Sequence, residues 1–499
     1  VSAVRSGADA YIGLDIGTSS VKALLIDDTQ AVVAESTAPL VVSRPHPLWS
    51  EQAPDDWWDA TQAAIAELRE LAPDAWRGVR GIGLSGQMHG ATLLDAVDRP
   101  LRPAILWNDG RSFAECAELE RRVPDLRARA GNIAMPGFTA PKLLWVQRHE
   151  PEIFAATRSV LLPKDYVRLR MTGARVGEMS DAAGTLWLDV AARAWDDTLL
   201  AATGLSRAHM PDLVEGSAVS ALLSAEIASA WGLPRVPVAG GGGDNAASAI
   251  GIGAVRAGEG FLSLGTSGVI FAVTDHFIAK PERTLHAFCH ALPGKWHGMS
   301  VILSAAASLS WVAGLTGHGD DIGAWLGHVE RWSSKPGHRD HAPLFLPYLS
   351  GERTPHNDPE ASGMFAGLRT EHGPEALTWA VLEGVSFALA DGLDVLKDAG
   401  AMLDTCMLVG GGARSRLWAQ LLSDVLGIEL LVAEGAEHGA AFGAARLAML
   451  AAGAGDEAAI CARPPVRDTF APRTDGMEQT AKRLARYRAL YAAERATRA

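Results

Sequence analysis

Apolar residues near the start of the chain come in short runs with small polar breaks between them. YIGLDIG (11–17), VKALLIDD (21–28) and AVVAEST (31–37) each read as a strand, and the tight breaks predict an opening β-meander. The period then changes. PDDWWDATQAAIAELREL (54–71) has an entry Asp and apolar residues at helical spacing. VRGIGLSG (79–86) and ATLLDA (91–96) return to strand. This alternation argues for α/β layers. Further along, PRVPVAG (234–240) reads as a strand and AASAIGIGA (246–254) as a helix, with a run of four glycines and Asp244-Asn245 between them. GEGFLSLGTSGVIFAV (258–273) repeats the strand, small-residue turn and strand of the N-terminus. In LVGGGARSRLW (408–418) an apolar strand meets three glycines and then helix formers. The long uncharged stretch 299–317 is expected to be a buried core helix, since its Ser, Ala and Gly content is too polar for a membrane span. Residues 317–341 are expected to be irregular surface, and 475–499 an exposed helix without site chemistry.

Composition narrows the classes. At 499 residues, two domains are expected. A net charge of −13 argues against nucleic acid or an acidic membrane as the main partner and leaves neutral small molecules open. Four scattered cysteines without a CxxC pair read as reduced thiols of a cytoplasmic protein. The opening ten residues lack the apolar core of a secretory signal and read as a disordered extension.

The only internal repeat pairs IGLDIGTSS with FLSLGTSGV, about 250 residues apart. It suggests a duplicated nucleotide-binding domain, one phosphate-facing hairpin from each half. GIGLSG (81–86) fits G-x-G-x-x-G, but no helix starts inside it, so a dinucleotide fold is rejected. No P-loop, G-x-S-x-G or H-E-x-x-H occurs. In DIGTSSVK (15–22), backbone N–H groups and the hydroxyls of Thr18 and Ser19 can hold phosphate, and Asp15 can hold Mg²⁺. Gly265, Thr266 and Ser267 form a second such turn, and Gly411 and Gly412 a third, at a helix entry. GQMHGATL offers Met88 and His89 on a turn, and LWNDGR offers Trp107 and Asp109. Such a mixture of apolar and hydrogen-bonding groups suits a polyol, although Asp109 with Arg111 reads equally as a structural ion pair.

Taken together, D-x-G-T, GTSG and GGGAR resemble the FGGY carbohydrate kinases, as do FTAPKLLWVQRH (138–149) and GMFAGLRTEHGPEALTWAVLEG (363–384). Ala376 departs from the usual polar residue, on a helix where no effect on chemistry is expected. SRPHPLWSEQ, RPAILWNDGR, LLPKDYVRLRMTG, SDAAGTLWLDV, FCHALP and FLPYLSGERTPHNDP look most like the branch that phosphorylates D-xylulose, and the likeness runs from residue 11 to about 450. The resemblance implies an α/β fold of two actin-like (ribonuclease H-like) domains around a catalytic cleft. The expected division is an extension at 1–10, a sugar-binding domain at 11–253, a nucleotide-binding domain at 254–455 and a tail with a helical end at 456–499. It implies ATP and Mg²⁺ as cofactors, D-xylulose as sugar, and a homodimer as relatives suggest. Asp244 matches the catalytic base, Asn245 would orient the sugar, and Asp15 would position Mg²⁺. Thr18, Ser19, Gly265, Thr266 and Ser267 would hold phosphates, and Gly411 and Gly412 would line adenosine. Met88 and His89 match the sugar-binding pair, with Trp107 and Asp109 beside them. Two alternatives stay open: a kinase for ribulose or glycerol, and a nucleotide-switched interaction protein of the actin or Hsp70 type.

Overall fold

The computed structural model describes residues 8–435 and 438–498. Most of the expected N-terminal extension therefore lies outside the described residues, but Asp9 pairs with Arg80 and Ala10 already opens the first strand.

Each half builds a seven-stranded sheet. The first contains β1 (Ala10–Ile16), β2 (Ser20–Asp27), β3 (Val32–Pro39), β4 (Val79–Gly86), β5 (Val219–Leu222), β6 (Pro237–Ala239) and the two-residue β7 (Gly242–Gly243). Its order is β5-β6-β4-β1-β2-β3, with β7 also on β4. The second contains β8 (Glu259–Leu264), β9 (Gly268–Thr274), β10 (His286–Cys289), β11 (Trp296–Ile302), β12 (Thr405–Val409), β13 (Glu429–Ala433) and β14 (Val466–Phe470). Its order is β10-β11-β9-β8-β12-β13-β14. Six strands of each correspond, β7 and the edge strand β10 being additions. β1-β2-β3 and β8-β9-β11 are antiparallel meanders. β4 and β12 lie parallel to the first strand of their meander, and β6 and β13 continue in parallel. β5 and β14 close each sheet antiparallel. The short repeat seen in the sequence is thus the visible trace of two copies of one topology.

The helices cover these sheets. They are α1 (Pro54–Leu71), α2 (Asp244–Gly251), α3 (Ala306–Leu315), α4 (Ile322–Ser333), α5 (Pro374–Asp398), α6 (Arg416–Leu426), α7 (Gly439–Ala451) and α8 (Met477–Arg498). α1 buries Trp57, Ala64, Ile65 and Leu68 on one face, as its spacing dictates. α5 is long and apolar enough to cross a bilayer, but nearly all of it is buried in the second domain. Ala376 sits in its first turn, packed away from solvent.

Three expectations need correction. The stretch 299–317 is not one helix. Met299–Ile302 completes β11, and α3 begins at Ala306. No glycine or proline marks the break, so the run reads as continuous. Trp311 and Leu315 of α3 are also exposed. The polar segment 317–341 contains α4, capped by the Asp321 carboxylate on the Ala324 N–H (2.9 Å) and burying Trp325 and Val329. Apolar residues at 322, 325, 326 and 329 carry that helical period, masked by Gly323, Gly327 and nearby charges. Finally, α8 is not simply exposed. Arg483 is buried against Glu383 of α5, and the Tyr487 hydroxyl donates to Tyr348. All four cysteines are free and buried.

α7 follows β13 in the chain but packs on the first sheet, against β1, β4 and α2. Glycines allow backbone to touch backbone there. A Cβ on Gly13 would lie 1.9 Å from the Ala441 carbonyl oxygen, and one on Gly83 1.8 Å from that of Ala444. One on Gly443 would lie 1.7 Å from that of Ala247 on α2. No side chain can yield at such contacts, so helices or sheet must separate. Gly443→Ala is expected to lower stability by about 2 kcal/mol or more in denaturant titration. Gly314→Ala, in an α3 site with open space around the added methyl, is expected to be neutral or to stabilise by up to about 1 kcal/mol.

Candidate active site

Parallel strands bring the two key carboxylates to one edge of the first sheet. Asp15 on β1 and Gly242 on β7 are both in register with Ser85 on β4, which runs between them. Asp244 follows β7 at once and opens α2, with Gly243 as the N-cap. Two strand spacings separate the backbones, roughly 10 Å.

The glycine run is a rigid turn. All four residues are buried. Gly241 has φ +85°, and a Cβ on Gly240 or Gly241 would meet a backbone oxygen at 2.3 or 2.2 Å. Buried side chains fix its two ends. The Arg168 guanidinium donates to the Gly240 carbonyl, and the Ser180 hydroxyl accepts the Gly243 N–H at 3.0 Å. Ser180 in turn donates to the Glu178 carboxylate at 2.9 Å. Lys164, Asp165 and Asp181 complete this buried ionic cluster.

Asp244 faces a cavity of about 710 Å³ between the two sheets. It keeps some accessible surface because it lines that cavity, while protein surrounds it elsewhere. Its Oδ1 accepts the Asn245 N–H (2.7 Å) and side-chain amide (2.9 Å). Burial, and then repulsion from Asp15, raises its pKa to about 6 against the Asn245 hydrogen bonds. The positive end of α2 favours the ionised form, so burial and repulsion outweigh it. Asp15 is also raised by burial, partly offset by Lys22, which stands opposite it on β2. Asp15 Oδ1 is buried without a hydrogen-bond partner. An orphaned carboxylate oxygen at a phosphate-facing edge fits a site for a hydrated divalent cation. Among the described residues no group of three or more His, Cys, Asp or Glu could hold a metal.

Met88 and His89 line the same cavity, and Met88 packs against Gly243. His89 sits at φ +70°, a left-handed conformation. Lys142 Nζ donates to its carbonyl (2.8 Å) and to that of Gly137 (2.8 Å), and the Thr139 hydroxyl adds a bond at 3.2 Å. Its Nδ1 lies 2.6 Å from the Gly184 carbonyl. A carbonyl only accepts, so Nδ1 carries the proton and Nε2 is free to accept. Burial, then the Lys142 charge, lowers the imidazole pKa to about 3, which keeps it neutral. Phe138 packs edge-on against the ring at 4.8 Å.

Trp107 is half-exposed, lines the cavity and donates its indole N–H to Thr18 Oγ1 at 3.0 Å. The Thr18 hydroxyl donates onward to Gln87 (3.0 Å). One hydrogen-bonded chain thus joins the first hairpin turn to the sugar side. Ser19 lies exposed in that turn. In the second hairpin, Ser267 reaches the cavity, while the Gly265 and Thr266 carbonyls accept N–H groups of the first turn of α3. Gly411 and Gly412 follow β12 and do not border the cavity. A Cβ on Gly412 would strike the Leu264 side chain, whereas Gly411 faces open space.

Asp109 lies in the wall of the same cavity, with its carboxylate committed to other groups. Its side chain has no exposed surface, and both oxygens are engaged by Arg111 (2.7 and 2.9 Å) and the Ser50 N–H (2.6 Å). Arg111 also pairs with Glu51 and lies 3.6 Å from the Trp49 ring centroid. The ion-pair alternative open in the sequence is the one realised. Asp109 shapes the wall from behind.

Family models for the N-terminal and C-terminal domains of FGGY carbohydrate kinases match residues 10–251 and 260–452. The chain belongs to the FGGY family of carbohydrate kinases. This kinase is 56% identical to the xylulose kinase of Escherichia coli K12 over 89% of its length and 90% of that protein. A crystal structure of a xyloylose kinase from Brucella ovis superposes with a TM-score of 0.94 at 51% identity, covering 98% and 100% of the two chains. Xylulose kinase from Rhodospirillum rubrum gives 0.89 at 32%, covering 97% and 98%.

The structure adds kinase residues that sequence reasoning did not single out: Lys142, Phe138, Gly184, His286 and Arg353. Phe138, Lys142, Gly184 and Arg353 lie in stretches that carried the family resemblance and His286 does not; Phe138, His286 and Arg353 line the cavity, while Lys142 and Gly184 hold His89. Asp109→Asn breaks a buried ion pair and is expected to lower stability by roughly 3–5 kcal/mol. A direct sugar contact would instead raise KM with the melting temperature unchanged, and the two readouts together decide.

Proposed function

We propose that this kinase transfers the γ-phosphoryl group of ATP to the 5-hydroxyl of D-xylulose, giving D-xylulose 5-phosphate and ADP in D-xylose breakdown in the cytoplasm. The observation that supports it is Asp244, a carboxylate of raised pKa facing the cavity between the two sheets. The names of its relatives supply the sugar.

A primary hydroxyl is a weak nucleophile at neutral pH. As O5 bonds to the γ-phosphorus, the bond to the bridging oxygen breaks and its electrons leave with ADP. The O5 proton passes to the Asp244 carboxylate. A base with a pKa near 6 is ionised at pH 7.5 yet basic enough to take that proton. Asn245, Met88, His89 and Trp107 hold the sugar. Thr18 and Ser19 meet the phosphates from one lobe, and Gly265, Thr266 and Ser267 from the other. Gly411 and Gly412 border adenosine. Asp15, with its unpartnered oxygen, would hold hydrated Mg²⁺, which would supply positive charge to offset that of the ATP phosphates. Closure of the lobes excludes water as a competing acceptor.

Asp244→Asn is expected to reduce kcat at least about 100-fold in a coupled ADP assay across D-xylulose, D-ribulose and glycerol. Full activity of the variant on the best sugar would remove Asp244 from the mechanism. A wild-type preference for ribulose or glycerol would redirect the substrate assignment.

The pH dependence follows from the same shift. Asp244 works only when ionised, so kcat/KM should fall about tenfold per pH unit below about 6. The raised pKa also means that the ionised carboxylate opposes folding. That penalty is full above pH 6 and absent below the ordinary 3.8. Asp244→Asn should therefore melt no lower than wild type at pH 8, despite its lost activity.

A further inference from the structure

Arg353 stands out in the cavity wall. It lies on the loop between Leu349 and Pro359, contributed by the second half of the chain, and faces the same cavity as Asp244 and His89. Its backbone is held firmly. The Arg353 carbonyl accepts the Thr284 hydroxyl at 2.7 Å and the Asn357 N–H at 2.6 Å. The loop is clamped from outside by α8, where the Tyr491 hydroxyl and Arg498 bind Asp358. Its guanidinium, by contrast, makes no hydrogen bond or ion pair among the described residues. The neighbouring Glu352 does not take it. That carboxylate turns inward to the N–H groups of Leu303 (2.9 Å) and Arg353 (2.7 Å). The guanidinium therefore opens to the cavity with its five donors available to a ligand.

The chemistry of the substrate says what arrives. A ketopentose closes its furanose ring through O5 onto C2. Phosphorylation at O5 therefore needs the open chain, which carries a free C2 carbonyl. A hydroxyl can donate or accept, whereas a carbonyl only accepts. The neutral His89 offers its free Nε2 as an acceptor, Lys142 is engaged with two carbonyls, and the Trp107 N–H is taken by Thr18. Arg353 is a donor-only group, aimed into the cavity and without a partner. The cavity of about 710 Å³ is far larger than a five-carbon sugar. Asp244 and Arg353 come from different halves of the chain, so lobe closure brings both onto one small molecule.

We propose that Arg353 is the specificity-determining residue that binds the C2 carbonyl oxygen of the open-chain keto sugar when the lobes close. The proposal rests on the ketose assignment above. Arg353 thereby reads the keto end, while Asp244 acts at O5.

The test compares D-xylulose with its reduction product xylitol, which has the same carbon chain but no carbonyl, in wild type, Arg353→Met and Arg353→Lys. Xylitol binding is read as competitive inhibition against D-xylulose. Arg353→Met is expected to lower kcat/KM for D-xylulose at least about 30-fold, in line with losing a charged hydrogen bond of roughly 2 kcal/mol. It should change the xylitol inhibition constant less than threefold and leave KM for ATP within twofold. Arg353→Lys, which keeps a donor, should recover part of the loss. Equal losses for ketose and pentitol, or no loss for D-xylulose, would overturn the proposal. If Arg353→Met does not fold, the ketose-to-pentitol ratio of Arg353→Lys decides alone, and an unchanged ratio overturns it. Wild type without activity on D-xylulose would instead remove the ketose assignment, a result separate from any effect of Arg353.

Discussion

The seat of α7 on the first sheet is the contact from which the architecture follows. A helix that comes late in the chain lies with its backbone on β1, β4 and α2, at distances that exclude even a methyl group at Gly13, Gly83 and Gly443. α2 begins at Asp244 and β1 carries Asp15 near its end. One small-residue contact thus fixes both carboxylates relative to a helix that follows strand β13 of the other sheet. Close packing of this kind has no soft side chains to absorb movement.

Above that seat the site accumulates electrostatic cost. Two carboxylates stand at one edge of the first sheet, both raised by burial. An arginine extends into the cavity without a partner, and Asp15 keeps an orphaned oxygen. Around them stand ion pairs: Asp109 with Arg111, Lys164 with Asp165 and Asp181, Arg483 with Glu383. The contrast separates supporting charges from working ones. Asp109 has both oxygens engaged within the protein, whereas the Arg353 guanidinium faces the cavity, where a ligand can complete it.

Much of this was legible in the residues. The two strand-turn-strand repeats at DIGTSS and LGTSG translate into matched hairpins because a meander is encoded locally, by alternating apolar runs and small turn residues. The GGGGDN turn was legible as a shaped element because strand and helix signals flank it. Local signals failed where the deciding contact was distant. Residues 299–317 hid a strand-to-helix break, since β11 exists only through pairing with β9 and β10. α8 read as exposed because Arg483 and Tyr487 look like surface residues until α5 and Tyr348 are placed beside them.

The sequence by itself determined the repeated hairpins, the three glycine-rich turns, the turn that carries Asp244 and, through its motifs, the family. These depend on neighbours within a few residues, where spacing and side-chain type dictate conformation. Only the tertiary structure decided that Asp109 is locked to Arg111, that Lys142 fixes the His89 carbonyl, and that Arg353 arrives in the cavity unpaired. Each of those depends on groups brought together across the fold. Whether a charged side chain is satisfied or free is a property of its surroundings, and no local pattern records it.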